Sequence, residues 1–358
     1  MAMARRPEVK TSRAPIAAID TLGLVQHLAN ALLHVPFRGV LKGSGSALDK
    51  ASAAVVREVS RSFIAYASGL PIDQFRSLEL VLDETCRATM PLSRLIHQVD
   101  VEERTYGGVP GLFFRPKAGE PRGRIMYLHG GGHIGSTPNM YAYFTSAIAS
   151  STGCEVFVAD YRLAPEFPFP ADLEDALNVL EALLSGEMPH SRLFIAGDSG
   201  GGGTACSLIH EAQERGMPKV AGLILYSPEA DLSFEHDSVT ENAELDVLPW
   251  NIPTTPFLHG VNPKSGLVSA IDQDVAHWPP TFIAYGQDEI FRDSIRVLVE
   301  HLAAAEVITD AHEYPGMFHV FPILMPWAAA SRAVHRELGA FVTRVLDAAP
   351  EVDPEVEL

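Results

Sequence analysis

Four short glycine-rich stretches of this 358-residue chain hold the residue types that could do chemistry together. Gly197-Asp198-Ser199-Gly200-Gly201 follows an apolar run at 193–196 and precedes a helical stretch. A strand that turns sharply into a helix forces its central serine into a strained backbone conformation, which glycines two residues to either side accommodate without a clash. Such a turn lifts Ser199 Oγ out of a sheet and aims the Gly200 amide at developing negative charge. His129-Gly130-Gly131-Gly132 follows another apolar run at 125–128. Three glycines let the backbone approach a ligand closely, and the amides of Gly131 and Gly132, with Gly200 as third, could meet an oxyanion at about 2.7–3.1 Å. The spacing is neither GxGxxG nor GxxxxGK[ST], which sets nucleotide binding aside.

A hydroxyl is a weak nucleophile until a base takes its proton, and that base needs an acid to orient it. Gly286-Gln287-Asp288-Glu289 comes after the apolar run 282–285, and Gly316-Met317-Phe318-His319 comes after Glu313-Tyr314. Serine, acid and histidine therefore occur in the chain order of the nucleophile-elbow enzymes. Among fourteen histidines, His319 stands out by its glycine loop after a strand and its late position. Asp288 is preferred as the acid because it lies nearest the strand end. Glu289 and Asp293 compete with it, and Asp293 falls where an acid serves the start of a helix.

The elements that must hold these loops alternate in type. Runs at 99–105 and 111–115 flank Gly107-Gly108 as a hairpin. Continuous apolar runs at 125–128, 156–159, 193–196, 221–226 and 282–285 suit strands buried on both faces of a parallel sheet. Helical patterns fill 141–150, 171–184, 201–215, 292–305 and 328–346. In 171–184 the apolar Leu173, Ala176, Leu177 and Leu180 share a face, and Asp172, Glu174 and Asp175 sit in or near the first turn. The rhythm predicts an open α/β sheet with helices on both faces, its site at the strand ends. Residues 15–95 read as mainly helical. The acidic, proline-bearing stretch 231–277 reads as a lid-forming excursion between two core strands.

Composition narrows the function. Apolar residues make up 47% and charged residues 20%, as in an ordinary globular chain. With 27 basic and 45 acidic residues the net charge is −18, which repels nucleic-acid phosphates, so no nucleic-acid partner is expected. Cys86, Cys154 and Cys206 are dispersed and odd in number, which fits a reducing, cytoplasmic setting and no structural metal site. The opening residues contain no uninterrupted apolar core of a signal peptide. Asp20, Gln26, His27 and Asn30 interrupt the apolar stretch 15–41, so an amphipathic helix pair is expected there and no membrane span. Residues 347–358 carry five acids and no base and read as a solvated tail.

Taken together, 127–132, the string Asp160-Tyr161-Arg162-Leu163-Ala164-Pro165-Glu166-Phe167-Pro168-Phe169-Pro170, and the loops at 197–201, 286–289 and 314–319 resemble the hormone-sensitive-lipase family of α/β-hydrolases, the bacterial family IV esterases. The resemblance spans roughly 95–347. It implies a mostly parallel eight-stranded sheet flanked by helices under a helical cap. It implies Ser199 as nucleophile, His319 as base, Asp288 as acid and the Gly131, Gly132 and Gly200 amides as oxyanion hole. The expected division is a cap segment at 1–75, core at 76–230, a cap insertion at 231–277 and core again at 278–358. The residue after the three glycines, usually aromatic in the family, is His133. With Asp198 it is assigned to substrate binding. The expected activity is hydrolysis of small to medium-chain esters with no cofactor and no metal. A membrane-associated lipid hydrolase and a non-catalytic small-molecule receptor on the same fold are the alternatives, and pairing of a sheet edge into a homodimer stays open.

Overall fold

Apolar runs with no polar alternation have no face to show to water, and they become the inner strands of one sheet. The computed structural model describes residues 15–35, 47–248 and 254–348; the acidic residues 349–358 lie outside the described residues. Three helices come first, α1 (Pro15–His34), α2 (Ala47–Ser68) and α3 (Ile72–His97), followed by the hairpin β1 (Val99–Tyr106) and β2 (Val109–Pro116). Strand–helix units follow: β3 (Arg124–Leu128), α4 (Ala142–Thr152), β4 (Glu155–Ala159), α5 (Ala171–Leu184), β5 (Leu193–Asp198), α6 (Ser199–Glu214) and β6 (Gly222–Tyr226). The short helices α7 (Ser238–Glu241) and α8 (Thr255–Leu258) lie in the excursion after β6. The chain ends with β7 (Thr281–Gly286), α9 (Arg292–Ala304), β8 (Thr309–Tyr314), the single turn α10 (Phe321–Leu324) and α11 (Ala329–Ala348).

The sheet has eight strands in the order β1-β2-β4-β3-β5-β6-β7-β8. β1, β2 and β4 pair antiparallel, and the remaining pairs are parallel. Leu128 pairs with Gly197, Asp198 with Tyr226 and Gly286 with Tyr314, so the loops after β3, β5, β7 and β8 leave along one rim. Alternate side chains fill two cores. Ile125, Tyr127, Phe194, Ile224 and Phe282 face α4 and α11, whereas Met126, Leu128, Ile195, Leu225 and Ile283 face α5, α6 and α9. Each such side chain contributes roughly 1.5–3 kcal/mol by leaving water. That makes the rim a stiff support for loops that must hold a few groups in register.

α3 runs unbroken across the boundary expected at 75/76 and packs on α4 and β1. Its Arg76 forks onto Glu166 at 2.9 and 2.7 Å and donates to the carbonyls of Ile134 and Ala164. Asp83 of the same helix accepts from Asn139 Nδ2 at 3.0 Å. α3 thus holds both ends of the segment that follows the three glycines. Among the described residues no helix is long and apolar enough to cross a membrane.

Candidate active site

The backbone at Ser199 is left-handed, with φ of 52°, between the end of β5 and the first turn of α6. Only the absence of side chains lets the turn close this tightly. A Cβ at Gly197 would lie 2.4 Å from the Gly201 carbonyl oxygen, and one at Gly201 would lie 2.2 Å from that of Leu128. Ser199 Oγ stands 2.9 Å from His319 Nε2. His319 Nδ1 lies 3.0 Å from Glu289 Oε2, and Glu289 Oε1 accepts from the Gly286 amide at 3.0 Å. Glu289 is wholly buried and His319 is 2% exposed, with Phe291 edge-on to the imidazole. Burial pushes the Glu289 carboxyl above its usual range and the His319 imidazole below its own. An uncharged imidazole with Nδ1–H turned to the carboxylate leaves Nε2 free to accept the serine proton.

The acid on the imidazole is therefore Glu289, a correction to the expectation of Asp288. The reason lies in the backbone. After β7 the Gln287 and Asp288 amides still bond to the Tyr314 and Met317 carbonyls, so residue 288 continues the pairing with the neighbouring loop, and the next side chain reaches His319. Asp293 pairs with Arg292 at 2.7 Å and accepts from the Ser238 amide, a structural task at the start of α9.

The 129–135 segment curls so that Ile134 and Gly135 both donate to the Gly131 carbonyl, with Gly131 and Gly132 at φ of 120° and 61°. Among the described residues no protein acceptor takes the Gly131 or Gly132 amide. The Gly200 amide sits in the first turn of α6, where an N–H has no intrahelical partner.

Asp198 does not face a ligand. It is 1% exposed and accepts from Tyr127 at 2.8 Å, from Tyr141 at 2.9 Å and from the Gly130 amide at 2.8 Å. Burial pushes its carboxyl up to about 6 against the pull of those three donors. It fastens the glycine segment to the elbow, which corrects its assignment to substrate binding. His133 is also enclosed, with both ring nitrogens toward carboxylates at 3.2 and 3.3 Å and its ring stacked on Phe257. The cavity beside it measures about 10 Å³, room for one water at most, so His133 too is removed from the substrate-binding set.

Asp246 is the site residue that the sequence did not reveal. It sits in the excursion after β6, wholly buried, where Oδ1 accepts from the His319 amide at 2.9 Å and Oδ2 from the Ile290 amide at 2.8 Å. One carboxylate thereby spans the loops of both the base and the acid. Arg61 of α2 donates to the Asp246 carbonyl at 3.0 Å, and Asn242 Nδ2 donates to the Glu289 carbonyl at 2.8 Å. No motif marks Asp246, because its partners are backbone amides some 44 and 73 residues away. A separate cleft of about 770 Å³, lined by Arg76, Asp83, Arg104, Asp160 and Glu166 among others, contains none of the Ser199, Glu289 and His319 side chains. Among the described residues no three His, Cys, Asp or Glu side chains come together to hold a metal ion.

The family model described as the alpha/beta hydrolase fold matches residues 125–323. An esterase of the bacterial hormone-sensitive-lipase family superposes with a TM-score of 0.71 at 27% identity, over 81% of this chain and 98% of that one. The chain belongs to the hormone-sensitive-lipase family of α/β-hydrolases. An acetyl-hydrolase of Streptomyces hygroscopicus is 31% identical over 66% of this chain and 81% of its own. The carboxylesterase NlhH of Mycobacterium tuberculosis is 29% identical over 69% and 83%. The protein is a serine hydrolase of carboxylic esters.

Proposed function

We propose that the enzyme hydrolyses esters of small to medium acyl chain through Ser199, His319 and Glu289, with the Gly131, Gly132 and Gly200 amides as oxyanion hole. The observation that carries this reading is the continuous contact from Ser199 Oγ to His319 Nε2 and from Nδ1 to Glu289. As Oγ attacks the ester carbonyl, its proton passes to Nε2, and the carbonyl electrons move onto the oxygen facing the three amides. The intermediate collapses, the C–O bond to the alcohol breaks, and Nε2 returns the proton to the departing alkoxide. Water attacks the acyl carbonyl as the same nitrogen takes its proton, the bond to Ser199 Oγ breaks, and Nε2 returns that proton to Oγ as the acid leaves. Glu289 holds the imidazole tautomer and balances the cation that forms.

Asp246 belongs to this reading as a positioning residue for the two loops. The second reading, a lipid hydrolase at a membrane surface, draws on Leu22, Val25, Leu32 and Leu33, which α1 leaves exposed. The net charge of −18 opposes an anionic surface. Three unpaired cysteines support a cytoplasmic location, checked by cell fractionation. Ser199→Ala, assayed on p-nitrophenyl esters from acetate to decanoate, tests the main reading: turnover at the buffer background supports it, and turnover near that of the parent overturns it. A rate that jumps only above the solubility limit of a triglyceride favours the second.

A further inference from the structure

His133 has φ of 59°, at the end of the glycine segment, and its ring reaches four other parts of the molecule. Nδ1 is 3.3 Å from Asp172 Oδ2, in the first turn of α5, and 3.4 Å from Thr204 Oγ1 on α6. Nε2 is 3.2 Å from Glu229 Oε2, just after β6. One face stacks on Phe257 of α8 with ring centroids 3.6 Å apart and planes 10° off parallel. The ring also crowds the elbow, since a Cβ at Gly200 would stand 2.9 Å from His133 Cδ2 and Nε2 and 3.2 Å from its amide nitrogen.

The partners lead back to the nucleophile. Thr204 Oγ1 donates to Asp172 Oδ2 at 2.9 Å, and the Glu229 amide donates to the Ser199 carbonyl at 3.0 Å. Asp172 and Glu229 are 3% exposed, and the imidazole is the group facing both. A carboxylate toward each of the two ring nitrogens favours the form in which both nitrogens donate, the imidazolium. Burial alone would lower the His133 pKa, but the two carboxylates outweigh it and hold it at about 9.

We propose that His133 is a positioning residue for the reaction, a buried imidazolium clasp that fixes the Gly131–Gly132 segment against the Gly200 amide through Asp172 and Glu229. A phenylalanine ring here could stack on Phe257 but could not bond to either carboxylate, and no other aromatic side chain offers two ring N–H donors. The clasp sets the spacing between the two sources of oxyanion donors, which come from loops 68 residues apart if counted from Gly132 to Gly200. Its contribution falls on the transition state, where the oxygen carries charge, more than on the bound ester. The inference rests on the oxyanion assignment given above.

The test uses His133→Phe and the triple variant His133→Phe, Asp172→Asn, Glu229→Gln, in which no buried carboxylate is left without its cation. Active sites are titrated with a fluorophosphonate, so rates refer to reactive enzyme, and Ser199→Ala is run in parallel. The triple variant is expected to regain the thermal midpoint that the single variant loses while keeping kcat per titrated site at least tenfold low. KM should stay within about twofold, and a trifluoromethyl ketone should bind more weakly in proportion to kcat/KM. A kcat per site within twofold of the parent in either variant overturns the proposal. If neither variant folds, Glu229→Gln decides, with a fall of threefold or more at unchanged KM expected and an unchanged kcat contradicting. Activity surviving in Ser199→Ala would instead refute the serine mechanism and leave the clasp geometry as it stands.

Discussion

The two halves of the active site are held in different ways. The nucleophile side, 129–135 with 197–201, is fixed first by glycines whose absent side chains let backbone pack on backbone and by Asp198 tying one segment to the other, with Arg76 of α3 and the partners of His133 adding anchors from outside. The acid–base side, 286–290 with 316–319, has one such close approach, at Gly286 against the Met317 carbonyl, and is braced beyond it from a distance, by Asp246 from the excursion after β6 and Arg61 from α2 behind it. The first kind of support is written in spacing that a linear reading detects. The second depends on where a long connection happens to return.

The largest effect that would break this contrast is on the base itself. His319→Ala is expected to lower kcat by about 10⁶-fold, matching Ser199→Ala, because the two act as one unit. A double variant that loses far more than either single would show them acting independently. Asp246→Asn should come next. An amide keeps one acceptor oxygen for the two sides the carboxylate spans, and a lost hydrogen bond to a charged group is worth about 1.5–3 kcal/mol, or roughly 10–100-fold in kcat. The loss should appear with the fold intact by circular dichroism, and an unchanged kcat would remove the distant support from the account.

Gly201→Ala attacks the local side. Its Cβ would meet the Leu128 oxygen at 2.2 Å, so the expected result is a stability loss of about 1–3 kcal/mol or more, read by urea unfolding. An unfolding midpoint equal to the parent's would show that the elbow does not need this glycine. The smallest effect sharpens the view of His133. Its folded pKa, about 9, lies above the ordinary 6.5, so its stabilisation is complete below about pH 6.5 and is lost as pH rises through about 9. The fall in thermal midpoint across that window should be present in the parent and absent from the triple variant.

Much of this is legible in the sequence. The inner strands announced themselves because Ile125–Leu128 and Leu193–Ala196 are buried on both faces and need no polar alternation. β8 was visible only at Glu313-Tyr314, since as the edge strand it reads Thr-Asp-Ala-His-Glu-Tyr and half faces solvent. Ser199 and His319 were found because strand-end glycine loops carry their own signature. Spacing points one residue early for the acid because backbone bonds to Tyr314, at the end of β8, and to Met317 in the loop after it, 27 or more residues away, decide where the turn stops. Asp198 was given to substrate because sequence shows it beside the nucleophile but hides the two tyrosines that enclose it.

The identity of the acid is the point at which distance-held geometry makes its sharpest claim. Kinetics of Glu289→Gln and Asp288→Asn, measured together on one short-chain p-nitrophenyl ester at neutral pH, test it directly. Glu289→Gln is expected to lower kcat by about 10³–10⁴-fold, as when the orienting carboxylate of a serine triad becomes an amide, with Asp288→Asn within about threefold of the parent. The reverse pattern, a large loss in Asp288→Asn beside a mild one in Glu289→Gln, would contradict the account.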